Sequence, residues 1–341
     1  MMVKLSDGVE NKNLPWIEKY RPDTLDDLVS HKEIVNTLTK LIDDKKLPHL
    51  LFYGPPGTGK TSTILAAAKR IYPSQKYLQT MVLELNASDD RGIGVVRDEI
   101  MNFAQTKTLH SIETKEYEKY FKLIILDEAD AMTKEAQGAL RRVIEKFTDN
   151  VRFCIICNYL SKIIPAIQSR CTRFRFTPVN PSLIISRLRM IIKQENVEID
   201  ENGEKALMNL CSGDMRRVLN ILQSTHLAFG EVNEDNVYSC VGQPTPKLIE
   251  NMLKILMNDD LNKGFEAINE ILLNRGFALT DLINGMLDFL LRLELAEDII
   301  AHLVEQIAVI DKRLTQGSDE KIQLAALVSL FYETRVEKLK A

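Results

Sequence analysis

Apolar residues recur along the chain in two rhythms. In the first half, short apolar runs alternate with longer stretches in which apolar residues return every three or four positions, the pattern of strands and helices alternating in a parallel sheet. The predicted strands are HLLFY (49–53), MVLEL (81–85), KLIIL (122–126), RFCIIC (152–157) and RFRF (173–176). LIIL and FCIIC are continuously apolar, as expected of strands covered on both faces. Between the strands, STILAAAKRIY and KEAQGALRRVIEKF carry helix-forming residues.

The rhythm changes at TPVNPSL (177–183), where two prolines end the sheet pattern and every later segment predicts helix. A small helical segment runs to Val241, and VGQPTP (241–246) then reads as a linker with one glycine and two prolines. Beyond it, Ile249, Met252, Leu253 and Leu256 share one predicted helix face, as do Leu282, Met286, Phe289 and Leu290. These breaks predict an α/β domain over residues 1–177, a small all-α domain over 178–241 and an all-α C-terminal domain over 242–341 without a catalytic signature.

The composition, 45% hydrophobic and 27% charged over 341 residues, is that of a soluble globular chain. No apolar run approaches the ~18 residues of a spanning helix, and MMVKLSDGVENKNLPW lacks the apolar core of a secretion signal. An intracellular protein with no membrane partner is expected. Five cysteines, an odd number, agree with a reducing compartment. Cys154 and Cys157 form a CxxC, but three positions apart on a strand their side chains leave on opposite faces, which argues against a shared zinc or a redox dithiol. The net charge of −4 argues against a protein that coats nucleic acid by bulk charge, while leaving room for a local basic strip.

GPPGTGKT (54–61) fits G-x-x-x-x-G-K-[ST], with a predicted strand before it and a helix after it. Gly54, Pro55, Pro56, Gly57, Thr58 and Gly59 form a loop whose backbone N–H groups would cradle phosphates, with Ser62 just inside the helix. Lys60 would neutralise β/γ-phosphate charge of ATP, and Thr61 would offer its hydroxyl to Mg²⁺. In KLIILDEAD the strand ends at Asp127 and Glu128, at the carboxyl edge where parallel sheets bind ligands. Asp127 is the candidate Mg²⁺ partner, and Glu128 the candidate that orients or deprotonates the attacking water. Helicases share the DEAD letters, yet they carry a second RecA-like domain, whereas the second half here predicts helices. Asn158, ending RFCIICN, is either a turn residue or an amide that bonds the γ-phosphate or the attacking water.

These motifs, with SRC (169–171) and GDMRR (213–217), occur in the order seen in clamp loaders of the AAA+ class, and EKYRP (18–22) and ELNASDDRGI (84–93) match the same family. The chain resembles the small subunits of eukaryotic replication factor C over essentially its whole length. The resemblance implies a RecA-like AAA+ ATPase domain, a helical lid and a helical collar. It also implies a heteropentameric spiral with one large and three further small subunits and with ATP at the subunit interfaces. Such an assembly opens the ring-shaped sliding clamp, proliferating cell nuclear antigen, and loads it on primer–template DNA during replication and repair. A nuclear location follows from the resemblance, since no basic import run is visible.

By resemblance, Arg170 serves the nucleotide of the adjacent subunit, a contribution worth roughly 10³–10⁵ in rate when supplied in trans. Arg216 matches the lid arginine that touches the γ-phosphate of the chain's own ATP, and Tyr20, Arg21 and Pro22 match the segment along base and ribose. Arg91 and Arg97 match positions where the family meets the DNA backbone. IMNFAQTKTL (100–109) resembles the part that lies on the clamp, with Met101 and Phe103 as its apolar contacts or, for Phe103, as core. Two other readings compete: a different AAA+ machine, such as an unfoldase or a branch-migration motor, and a scaffold with dispensable hydrolysis. The first predicts an aromatic pore loop, and no aromatic-Val-Gly loop is evident.

Overall fold

A computed structural model describes residues 14–28, 30–88, 93–106, 121–293 and 295–338. The chain forms two compact units, one of residues up to Asn196 with Met208–Asn220, the other of Val197–Leu207 with everything from Ile221.

The first unit is built on five parallel strands: β1 Leu50–Tyr53, β2 Val82–Asn86, β3 Lys122–Asp127, β4 Val151–Cys157 and β5 Thr172–Arg175. Their order across the sheet is β2-β3-β4-β1-β5, so β1 lies between β4 and β5, with Leu50 opposite both Cys154 and Thr172. Around it, in chain order, come α1 Trp16–Lys19, α2 Lys32–Asp43, α3 Lys60–Ile71, α4 Gln75–Met81, α5 Ile93–Gln105, α6 Lys134–Phe147, α7 Pro165–Gln168 and α8 Pro181–Glu195. The pleat sends alternate strand residues to opposite faces. Cys154 and Ile156 join the core beneath α2, α3 and α4, while Phe153, Ile155 and Cys157 join the one beneath α5, α6 and α7. The two cysteines therefore part as their spacing requires. Burial pushes the Cys157 thiol up to about 12 and that of Cys154 well above its ordinary value, so both are inert packing groups.

Local chemistry sets the helix ends. Thr133 caps α6 by accepting from the Ala136 N–H at 3.2 Å, and Asn180 caps α8 at Ser182 N–H, 3.1 Å, with Pro181 at the first helical position. Lys122, buried at the start of β3, donates to the carbonyls of Phe103 (2.7 Å) and Thr106 and lies 4.9 Å from the Phe103 ring centre. It thereby satisfies carbonyls at the C-terminal end of α5, and burial lowers its pKa. Met101 and Phe103 both pack against the core on that side of the sheet.

The later helices are α9 Glu201–Cys211, α10 Met215–Phe229, α11 Glu234–Val241, α12 Pro246–Asn258, α13 Leu261–Arg275, α14 Leu279–Leu290, α15 Glu297–Thr315 and α16 Glu320–Glu333. The predicted stripes are the core of the second unit: Ile249, Met252, Leu253, Leu256, Leu282, Met286 and Leu290 are all buried, and Phe289 packs partly against them. VGQPTP is two helix ends joined directly, with Gly242 in left-handed backbone closing α11 and Thr245 capping α12 ahead of Pro246. The expectation of helix throughout needs one correction. Glu198–Ile199 (β6) and Glu231–Val232 (β7) form a short parallel ladder. Two residues per strand are too few for any periodicity to reveal.

Candidate nucleotide site

The strand order brings three strand ends together, those of β1, β3 and β4, and the candidate residues leave from them. After Tyr53 the chain turns through Gly54, whose φ is 145° and where a Cβ would meet the Phe176 carbonyl oxygen at 2.0 Å. Thr58 Oγ1 closes the loop by donating to the Pro55 carbonyl at 2.9 Å. The α3 helix then begins at Lys60 with no side-chain cap, so its first N–H groups and its positive dipole end serve the loop.

Lys60 is buried, and its Nζ donates to the carbonyls of Gly54 (2.8 Å) and Pro55 (2.7 Å) and to Asn158 Oδ1 (3.0 Å). All three acceptors are neutral, and burial lowers the lysine's pKa while the nearby Asp127 carboxylate opposes the shift. A buried ammonium on a ring of neutral acceptors suits an arriving anion. Thr61 Oγ1 donates to Asp127 Oδ2 at 2.6 Å, and Asp127 Oδ1 accepts the Glu128 N–H at 2.8 Å. A hydroxyl bonded to a carboxylate at a strand end is a donor set that fits a hard cation such as Mg²⁺. Glu128 takes left-handed backbone, φ 52°, and its side chain is exposed beside that pair. The Asn158 N–H donates to Asp130 Oδ1 at 3.4 Å.

Beside the loop opens a solvent-open cleft. Tyr20, Arg21, Pro22, Gly57, Thr58, Gly59, Ser62 and Arg216 all line it, with Leu183 and Arg187 from α8. Gly54, Pro55, Pro56, Lys60, Thr61, Asp127, Glu128 and Asn158 do not line the cleft. The segment before Pro22 is fastened to α8: Tyr20 donates its hydroxyl to Glu195, Lys19 Nζ reaches the same Glu195 oxygen at 2.6 Å, and Arg187 donates to the Tyr20 carbonyl at 3.3 Å. Burial, followed by the Glu195 bond, raises the Tyr20 pKa.

Arg170 belongs to none of this. It precedes β5, whose first residue pairs with the first residue of β1, whereas the phosphate-binding loop follows the last. The length of β1, about 10 Å, separates the two levels. Its guanidinium meets Glu145 Oε1 at 2.5 Å, the Ala166 carbonyl at 2.6 Å and Ser169 Oγ at 3.3 Å. Arg173 and Arg175 are exposed on β5. Arg91 and the side chain of Arg97 lie outside the described residues, as do residues 107–109 of the stretch expected on the clamp.

Sequence reasoning missed three groups that the structure brings to the site. Glu84 on β2 is partly buried near Asp127 and Arg21, and burial raises its carboxyl pKa. Glu195 anchors Tyr20 from the far end of α8. Asp214 lies against Gly57; its only local signal was its place just before an apolar helical stretch, where a capping residue belongs. Among the described residues no cluster of His, Cys, Asp and Glu forms a metal site of its own.

The family profile described as ATPase family associated with various cellular activities (AAA) matches residues 50–179, and that described as Replication factor C C-terminal domain matches residues 244–329. Replication factor C subunit 5 of Mus musculus is 55% identical over 324 residues, which span 95% of this chain and 93% of the mouse protein. The Homo sapiens subunit 5 is 54% identical over the same shares. Replication factor C subunit 3 of Saccharomyces cerevisiae is 48% identical, spanning 93% of this chain and 92% of the yeast protein. Among solved structures, the RuvB Holliday junction branch migration motor of Thermotoga maritima reaches a TM-score of 0.50 at 16% identity, covering 73% of this chain and 85% of RuvB, a likeness of fold alone.

Proposed function

Because the chain belongs to the replication factor C family of AAA+ clamp-loader ATPase subunits, we propose that it hydrolyses ATP in a site shared with one neighbouring subunit and lends Arg170 to another. The observation that carries this reading is the position of Arg170. It lies at the amino end of β5, while Lys60, Thr61, Asp127 and Asn158 gather at the carboxyl ends.

Lys60 neutralises charge on the β- and γ-phosphates, and the backbone N–H groups from Gly57 to Ser62 cradle them. Thr61 and Asp127 would hold Mg²⁺, which would supply neutralisation of phosphate charge. Glu128 orients the attacking water and takes its proton. Asn158, bonded to Lys60, is well sited to sense the γ-phosphate, and Arg216 contacts it from the start of α10. Tyr20, Arg21 and Pro22 hold the base and ribose side of the cleft. A neighbour's arginine completes the constellation, so chemistry waits for correct assembly.

The partners in this reading are one large and three other small replication factor C subunits, the sliding clamp and primer–template DNA in the nucleus, with Arg91 and Arg97 on the DNA backbone. Residues 1–177 form the ATPase domain, 178–241 the lid and 242–341 the collar that joins subunits; the matched segments 50–179 and 244–329 support the first and third. A branch-migration motor shares the fold, but relatives at 55% identity over 95% of the chain favour the clamp loader. The test compares ATP turnover of the purified chain with that of the complete assembly given clamp and primed DNA. The lone chain should be slow and the assembly fast. Equal rates would sink the shared-site reading.

A further inference from the structure

The turn that leads into α10 seats a carboxylate on the phosphate-binding loop. Ser212 and Gly213 both take left-handed backbone, φ 48° and 84°, and a Cβ on Gly213 would meet Pro178 at 2.9 Å. The turn is thus wedged in place, and it delivers Asp214 against Gly57. A Cβ on Gly57 would meet Asp214 Oδ1 at 1.7 Å, Cγ at 2.2 Å and Oδ2 at 2.8 Å. No side chain fits there, so Gly57 has a packing reason to be glycine as well as its φ of 69°.

The Oδ1 atom that crowds Gly57 also accepts the backbone N–H of Arg216 at 2.8 Å and of Arg217 at 3.3 Å, capping the start of α10. One oxygen therefore touches the loop and holds the backbone of Arg216. The arginine lines the same cleft as Gly57, and its charge lies close enough to Lys60 to disfavour that lysine's protonation. A helix cap alone needs no contact with the phosphate-binding loop, and a carboxylate near a triphosphate is an electrostatic liability. Its seat against the loop calls for a geometric reason.

We propose that Asp214 is a positioning residue for ATP hydrolysis: it is the spacer that sets how far Arg216 stands from the phosphate-binding loop. The inference rests on the reading of Arg216 as the arginine that meets the γ-phosphate. A cap at this site without the reach to Gly57 would start the helix equally well but leave Arg216 at the wrong depth.

The experiment measures turnover at this subunit's site in the assembled complex, with thermal melting of each variant. Asp214→Ser keeps a capping oxygen but lacks Oδ1, the atom that comes closest to Gly57. It should melt like the wild type and turn over more slowly, by up to roughly 10²-fold, the cost of a ~1 Å misplacement of Arg216. Asp214→Asn keeps both reach and acceptor and should restore turnover. Arg216→Ala should be slow by itself, and adding Asp214→Ser to it should cost nothing more, since a residue acting through another is non-additive with it. Full turnover in Asp214→Ser, or losses that multiply in the double variant, would overturn the proposal. Normal turnover in Arg216→Ala alone would instead overturn the underlying assignment of Arg216, which keeps the two failures apart.

Discussion

The two ends of the central sheet solve different problems. At the carboxyl end, polar groups answer one another within the chain: Lys60 with Asn158, Thr61 with Asp127, and the Glu128 N–H with Asp127. At the amino end, Arg170 is a third exposed and rests on Glu145, a surface carboxylate it shares with Arg141. Arg141, and secondarily Arg170, hold the Glu145 carboxyl below its usual range. Exposed pairs of this kind contribute little net energy, so Arg170 can leave Glu145 for a phosphate at small cost. One end is a polar set closed within the chain; at the other, a guanidinium rests on the surface outside that set.

The sharpest way to break this contrast is Arg170→Ala. Turnover at the neighbouring subunit should fall by roughly 10³–10⁵, while this chain's own ATP affinity stays at the wild-type value. Site-resolved binding and turnover in the complex decide it, and a loss of its own binding would place the arginine in cis. Glu128→Gln acts at the opposite end and should cut this site's turnover by roughly 10²–10⁴ with ATP still bound, measurable as a stalled clamp-loading reaction. Continued loading at the normal rate would favour the scaffold view. Lys60→Ala removes a buried cation ready for phosphate, and equilibrium titration should record ATP binding weaker by about 1.5–3 kcal/mol.

The smallest effect concerns His49, buried at the amino end, where its Nδ1 accepts the Phe153 N–H at 3.2 Å. Burial, with Arg152 adding to it, lowers its pKa from 6.5 to about 4. The unfolded chain therefore takes up the proton first, so stability is complete above pH 6.5 and declines as the pH falls toward 4. Urea midpoints should report a loss of about 1.6 kcal/mol between pH 6.5 and 5 from this residue. His49→Gln, which offers an amide acceptor to Phe153, should flatten that slope. An unchanged slope would mean that folding does not lower the His49 pKa.

Much of the architecture was legible before any coordinates. HLLFY anticipated β1 to within one residue, and the stripe Ile249, Met252, Leu253, Leu256 anticipated a core face, because burial imposes a period that the chain must carry. Spacing alone also parted Cys154 from Cys157. Contacts that join distant segments by a single atom left no such trace. Nothing in EKYRP announces that Tyr20 donates to Glu195, 175 residues on, and nothing in GPPGTGKT announces that Gly57 receives Asp214. The β6–β7 ladder was equally silent, since one pair of residues has no rhythm.

What the amino-acid order determined by itself is therefore local and periodic: which segments are strands, which helices, where caps begin, and a loop with the glycines and lysine to hold phosphates. Only the tertiary structure decided which strand ends meet, that Arg170 stands a strand's length away from its own chain's phosphate loop, and that one carboxylate spans from Gly57 to Arg216. Short-range sterics and burial act on neighbours in sequence and so can be read there. Strand order is settled by how all the apolar faces are covered at once, and that is a property of the whole packed unit.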